Sequence, residues 1–140
     1  MILADTSGLL AAFHLTDANH RAALGFLQAA RRPGEIVVPA AVVVELGPML
    51  ERRVGTLAEA TALRRFGSSS WRIEHFTPED LLRAADLVEQ YADFPLGTVD
   101  ALIVAMAERL DITTIFTLDR RHFGAVRPAH CEAFEIVPGP

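Results

Sequence analysis

The chain has 140 residues, of which 51% are hydrophobic and 22% charged, and its 13 basic and 18 acidic residues give a net charge of -5. This composition excludes a disordered or fibrous protein, and the negative charge excludes a global positive field that would draw the chain onto nucleic acid or a membrane. All 13 basic residues are arginines, so lysine-dependent phosphate-binding loops and Schiff-base chemistry are excluded as well.

Apolar runs alternate with segments of helical period along the whole chain, which predicts one α/β domain over residues 1–140 with a mostly parallel sheet. In chain order, the predicted strands are residues 1–4, 35–38, 72–76, 113–117 and 134–137. The predicted helices are residues 6–15, 18–30, 40–53, 57–66, 78–91 and 99–110. We expect Asp17, Thr77 and Thr98 to cap their helices, and Pro48 to kink or break the third helix after Gly47.

The chain has one cysteine, Cys131, which excludes an intramolecular disulfide and a cysteine-rich zinc site and fits a reducing compartment. No apolar run approaches the roughly 20 residues that span a bilayer. The apolar start of the chain is interrupted by Asp5 and has no basic leader. We therefore expect a cytoplasmic protein with no membrane partner.

Two aspartates closely follow predicted strands. Asp5 comes directly after the first strand, and Asp119 comes shortly after the fourth. We expect both at the carboxyl edge of the sheet, where open α/β folds bind ligands. Each also fits a purely local role, which is a helix N-cap for Asp5 and an Asx-type turn for Asp119.

Two more acids share helix faces with apolar residues. Glu45 lies three residues after Val42, and Asp100 lies three residues before Ile103. A lone buried glutamate is costly, so Glu45 fits either a ligand role or the edge of the stripe, where it reaches water or pairs with an arginine. Asp100 fits either a ligand role or a favourable interaction with the helix N-terminus.

The four acids together favour a metal site. Carboxylates gathered in a partly dry cleft repel one another unless they take up protons or bind a cation. Oxygen ligands suit Mg²⁺ or Mn²⁺, whereas the five histidines and one cysteine show no zinc-binding spacing. Such an ion activates water and stabilises the charge that develops on a phosphodiester.

Four short segments, in a fixed order, carry a resemblance that spans nearly the whole chain. They are ILADTS at residues 2–7, VP followed by VEL within residues 38–46, TVDALIVA at residues 98–105 and FTLDRRHF at residues 116–123. Together they resemble the PIN-domain nucleases, and among these the VapC toxins of bacterial toxin–antitoxin pairs. Some members of the family carry a further acid in the last segment, where this chain has Arg121 and His122.

The resemblance implies a PIN-like three-layer α/β/α domain with about five strands, and a Mg²⁺- or Mn²⁺-dependent endoribonuclease. Such a toxin cleaves RNA, here tRNA or rRNA, by metal-activated water. The resemblance implies that the catalytic and metal-binding acids are Asp5, Glu45, Asp100 and Asp119, and that the surrounding hydroxyls are Thr6 and Thr117. Arg120 and Arg121 fit either contacts with RNA phosphates or a solvated turn.

The resemblance also implies two protein partners, a cognate VapB-type antitoxin and a second copy of the chain in a homodimer. The mean hydropathy of +0.26 and the apolar N-terminal region fit covered surfaces of this kind, or simply a large core.

Two other hypotheses compete with an active ribonuclease. A catalytically inactive PIN-like module would bind RNA or protein without cutting, but all four costly acids are present. A haloacid-dehalogenase-type phosphatase needs a second aspartate two positions after the first and a lysine. Here Asp5 is followed by Thr6 and Ser7, and the chain contains no lysine.

Overall fold

Five short parallel strands form one sheet at the centre of the computed structural model, which describes residues 1–140. All five predicted strands are present, as β1 (Ile2–Ala4), β2 (Ile36–Pro39), β3 (Arg72–Glu74), β4 (Thr114–Phe116) and β5 (Glu135–Val137). Their order in the sheet is β3-β2-β1-β4-β5. The order in which successive strands are added therefore reverses between β1 and β4, and ligands of open parallel sheets bind at such a point.

Seven helices connect the strands, namely α1 (Thr6–Phe13), α2 (His20–Ala29), α3 (Ala40–Arg53), α4 (Thr56–Ser68), α5 (Pro78–Gln90), α6 (Thr98–Leu110) and α7 (Arg120–Ala125). Six of them were predicted, and α7 was not. Parallel crossovers are right-handed, so the helices before β3 pack on one face of the sheet and those after it on the other. This is the expected three-layer α/β/α arrangement.

The predicted break at Pro48 does not occur, because α3 is helical from Ala40 to Arg53. A proline inside a helix leaves the carbonyl four residues earlier without its donor, and here that carbonyl belongs to Val44. Both residues are exposed, Val44 to 74%, so water can satisfy the carbonyl.

One of the three predicted caps is present. Thr77 caps α5 through a capping box with Asp80. Asp17 instead accepts a hydrogen bond from the Asn19 amide in the turn before α2, and α6 begins after Gly97 without a side-chain cap. The two wrong predictions share a cause, since each helix starts one or more residues away from the position that the sequence indicates.

The core forms where the three central strands are covered on both faces. Leu3 pairs in register with Val37 on one side and Ile115 on the other, and all three side chains are fully buried. Helix α6 is buried at every position from Ala101 to Ala107, so its first turn lies at the edge of the core. None of the helices combines the length and the hydrophobicity needed to cross a bilayer.

Helix α1 lies very close to β4. A methyl group built on Gly8 would stand 2.8 Å from the Phe116 ring and 3.1 Å from the Phe116 carbonyl oxygen. Only glycine permits this approach without a shift of the neighbouring atoms. The close packing places the first turn of α1 beside the end of β4.

Candidate active site

The ends of the adjacent strands β1 and β4 bring Asp5 and Thr117 together. The Asp5 amide donates to the Phe116 carbonyl at 2.9 Å, and the Thr117 hydroxyl donates to Asp5 Oδ2 at 2.7 Å. Asp5 is 3% exposed and Thr117 is fully buried. The carboxylate that follows β1 is therefore held from the neighbouring strand.

Ser7 adds further hydrogen bonds at the same point. Its hydroxyl donates to Asp5 Oδ2 at 2.7 Å and accepts from the Leu118 amide at 3.0 Å, while its own amide donates to Oδ2 at 3.3 Å. Asp5 thus caps α1, as the local interpretation predicted, yet all its hydrogen bonds fall on one oxygen. Oδ1 accepts none from the protein and remains available to a ligand.

Asp119 is fixed by its neighbours on both sides. Its amide donates to Thr117 Oγ1 at 2.9 Å, and its side chain caps α7 by accepting from the His122 amide at 2.9 Å. The His122 imidazole Nδ1 donates to the second carboxylate oxygen at 2.8 Å. Asp119 therefore has both a capping role and a position beside Asp5.

The negative charges of the other three acids affect the pKa of Asp100. Burial, followed by the negative charges of Asp5, Asp119 and Glu45, raises the pKa of Asp100 to about 7. Ligand atoms of Asp100, Asp119 and His122 lie within 4.8 Å of one another. The structure thus brings Glu45 of α3, Asp100 of α6 and the two acids that follow β1 and β4 into one electrostatic cluster.

Glu45 is more exposed than the other three acids. It lies on α3 beside an apolar hollow of about 510 Å³ lined by Val44, Phe76, Val99 and Leu102. It forms no ion pair, so pairing with an arginine, one of the alternatives for this residue, does not occur. The negative charge of Glu45 nevertheless contributes to the raised pKa of Asp100.

The other residues named from the sequence have distinct surroundings. Thr6 is buried, and its hydroxyl has no hydrogen-bond partner, so among the two predicted hydroxyls only that of Thr117 contacts an acid. The Arg120 guanidinium donates to the Pro138 carbonyl. The Arg121 guanidinium lies over the Phe94 ring, 5.1 Å from its centroid.

Sequence reasoning missed Ser7 and His122 as parts of this site. Both had a local signal, since each follows an acid at the spacing of a helix cap, by two residues from Asp5 and by three from Asp119. Phe94, which contacts the His122 ring, had no such signal because it lies in the connection between α5 and α6.

The residues present fit a divalent cation. Arginines neutralise acids elsewhere in the chain, pairing with Glu74, Asp80 and Glu108, but none pairs with the four clustered carboxylates. Carboxylate oxygens are the hard donors that Mg²⁺ and Mn²⁺ prefer. Burial and the charges of the other three acids raise the pKa of Asp100, and a bound cation would offset both effects.

Comparison with known proteins gives consistent matches over nearly the full length. The family model of the PIN domain matches residues 2–127. Ribonuclease VapC26 of Mycobacterium tuberculosis is 35% identical over 137 residues, which cover 98% of this chain and 100% of the relative.

Solved structures agree on the fold. The structure of Mycobacterium tuberculosis VapC20, described as a Sarcin-Ricin loop cleaving toxin, matches with a TM-score of 0.82 and 26% identity, covering 94% of this chain and 99% of that chain. The structure of VapBC2 from Rickettsia felis bound to a DNA fragment from their promoter matches with a TM-score of 0.71 and 17% identity, covering both chains completely.

Proposed function

The chain belongs to the PIN domain family and is an endoribonuclease of the VapC kind, and we propose that Asp5, Glu45, Asp100 and Asp119 form its active site around Mg²⁺ or Mn²⁺. One observation carries the proposal. Four acids from separate elements share one electrostatic cluster that no arginine of the chain neutralises. A divalent cation would relieve this repulsion.

The residues of the chain prepare the site for the ion. Ser7 and Thr117 hold Asp5 Oδ2, which leaves Oδ1 for the cation. Asp100, whose pKa of about 7 keeps it partly protonated near neutral pH, would hold the cation in its ionised form and would therefore give up its proton to bulk water on binding. When bound, the ion activates water and stabilises the charge that develops on the phosphodiester.

The RNA contacts must be local because the net charge is -5. We place Arg120 and Arg121 against RNA phosphates, since both are exposed and directly follow Asp119. Arg121 is already held over Phe94, so less side-chain entropy is lost when it binds. The proposed substrates are tRNA or rRNA, and the proposed compartment is the cytoplasm.

Activity is tested by incubating the purified protein with total tRNA and with rRNA in Mg²⁺ or Mn²⁺, and mapping new RNA ends. We expect discrete cuts that disappear with EDTA and with Asp5→Asn. Cuts that persist in both controls would contradict the proposed site. Absence of cuts, from protein that is free of antitoxin and binds metal, would favour the inactive binding module.

An apolar groove supports the antitoxin as a partner. Two adjoining hollows, of about 580 and 250 Å³, share Ala12, Phe13, Leu24 and Thr61 between α1, α2 and α4. We propose that a segment of a VapB-type antitoxin covers this groove. Replacing the half-buried Leu24 with aspartate should prevent co-purification of the antitoxin while RNA cleavage persists, and retention of the complex would contradict the proposal.

A second apolar face supports a homodimer. Around the start of α6, two hollows that share Thr98 and Leu102 are bordered by the exposed side chains of Val44, Phe76, Leu81 and Val88. We expect light scattering to report a dimer for the wild type and a monomer for Val44→Asp. A wild-type monomer at every concentration would contradict the dimer.

A further inference from the structure

We propose that His122 is a positioning residue of this active site, which fixes the Asp119 carboxylate and is itself held by Phe94. The inference rests on the proposed function, in which Asp119 binds the cation. Arg121 and His122 occupy the segment in which some family members carry a further acid.

The two hydrogen bonds from His122 to Asp119 have different origins. The backbone amide donates to Oδ1 at 2.9 Å, which is an ordinary helix cap that any residue except proline would supply at this position. The imidazole Nδ1 donates to Oδ2 at 2.8 Å, and only a side chain with a donor there can supply this second bond. With both oxygens held, the carboxylate plane cannot rotate freely.

The Phe94 ring packs against the imidazole of His122. The ring centroids of Phe94 and His122 are 4.8 Å apart, with an angle of 38° between the planes. Phe94 precedes α6 by four residues, so the same connection leads into the helix that carries Asp100. The contact therefore joins His122 to the connection that precedes α6.

The hydrogen bond to Asp119 is the contact on which the positioning role of His122 rests. Ligand atoms of Asp100, Asp119 and His122 lie within 4.8 Å of one another, so the imidazole is near enough to affect a cation held by the two acids. Its Nδ1 donates to Asp119, so through this nitrogen the ring orients the carboxylate. Outer partners that orient ligands in this way typically change metal affinity by about 10- to 100-fold when they are removed.

The test compares His122→Ala, His122→Asn and wild type by the Mn²⁺ concentration needed for half-maximal thermal stabilisation, and by electron paramagnetic resonance of bound Mn²⁺. The asparagine amide can replace the Nδ1 donor, whereas alanine retains only the backbone cap. His75→Ala, at an exposed histidine whose ring makes no hydrogen bond, is the matched control.

We expect His122→Ala to weaken Mn²⁺ binding by about 10-fold or more. His122→Asn should recover most of this loss, and His75→Ala should bind as wild type does. Melting without metal verifies that each variant folds. Wild-type Mn²⁺ affinity in His122→Ala, or no recovery of affinity in His122→Asn, would overturn the role of His122 but not the proposed active site. A wild-type protein that binds no Mn²⁺ would overturn the proposed active site itself.

Discussion

Thr117 and Asp5, which are 112 positions apart in the chain, are joined by a hydrogen bond of 2.7 Å between the threonine hydroxyl and Asp5 Oδ2. The same hydroxyl accepts a hydrogen bond of 2.9 Å from the Asp119 amide. One buried side chain thus links two acids that follow neighbouring strands. The link spans the point where the order of the sheet reverses.

Replacing Thr117 with valine should therefore destabilise the fold and the site together. The change leaves Asp5 with one donor fewer and the Asp119 amide without its acceptor, at a cost of about 1 to 3 kcal/mol. Denaturant unfolding measures this loss, and Mg²⁺-dependent melting measures the effect on the site.

The matched variant is Thr6→Val. The Thr6 hydroxyl is buried without a partner, so its removal should leave stability unchanged or raise it by about 1 kcal/mol. Equal losses of stability in the two variants would contradict the assigned hydrogen bonds.

Removing the charge of Asp100 should stabilise the metal-free protein. The raised pKa means that the folded carboxyl keeps its proton between the ordinary value of 3.8 and about 7, while the unfolded carboxyl is ionised. The folded state binds more protons in this window, so wild-type stability falls as pH rises and levels off above about 7.

The Asp100→Asn variant does not lose stability in this way as pH rises. In EDTA, its free energy of unfolding should therefore exceed that of wild type by a margin that grows by about 1 kcal/mol per pH unit between pH 5 and 7. Denaturant unfolding at several pH values measures the difference. An advantage that does not change with pH would argue against the shared cluster.

Stabilisation by Mg²⁺ should itself depend on pH. The cation competes with the proton on Asp100, so binding weakens below the pKa of about 7. We expect a larger rise in melting temperature with Mg²⁺ at pH 8 than at pH 6, and none in Asp100→Asn. An equal rise in melting temperature at both pH values would show that metal binding does not displace a proton from Asp100.

The Asp80–Arg109 ion pair joins α5 to α6 and should stabilise the fold. Burial alone would raise the pKa of Asp80, but the hydrogen bonds from Arg109 and Thr77 outweigh it and hold the pKa below its ordinary value of 3.8. The pair therefore stabilises the fold above that pH, and its contribution is lost as pH falls further.

Arg109→Ala should cost about 2 to 4 kcal/mol at pH 7, because Asp80 is left buried with its charge unpaired. Arg72→Ala, which removes a more exposed bridge to Glu74, should cost less than about 1 kcal/mol. Thermal unfolding at pH 7 compares the two variants, and equal losses would contradict the assignment.

Glycines in α1 and α2 should respond in opposite ways to replacement by alanine, because only the one in α1 packs closely against β4. Gly8→Ala places a methyl group 2.8 Å from the Phe116 ring and should destabilise by about 1 to 3 kcal/mol. Gly25→Ala, in α2 with no atom within 4 Å, should stabilise by about 0.5 to 1 kcal/mol. Denaturant midpoints measure both effects, and a neutral Gly8→Ala would show that α1 can move away from the sheet.

All five strands and six of the seven helices could be predicted from the sequence because buried strands and amphipathic helices leave periodic patterns in the chain. Asp5 and Asp119 could be placed at one edge of the sheet because parallel strands end together. The four acids, taken with the spacing of the motifs, also indicated the family.

The tertiary structure decided which neighbours of these acids contact them. Thr6 and Thr117 each lie within two residues of an acid in sequence, yet only the Thr117 hydroxyl contacts one, since it faces Asp5 across the β1–β4 pair. The ring of His122 fixes Asp119 and contacts Phe94 from another connection. Such contacts depend on the relative placement of distant segments, which the periodicity of a single segment does not encode.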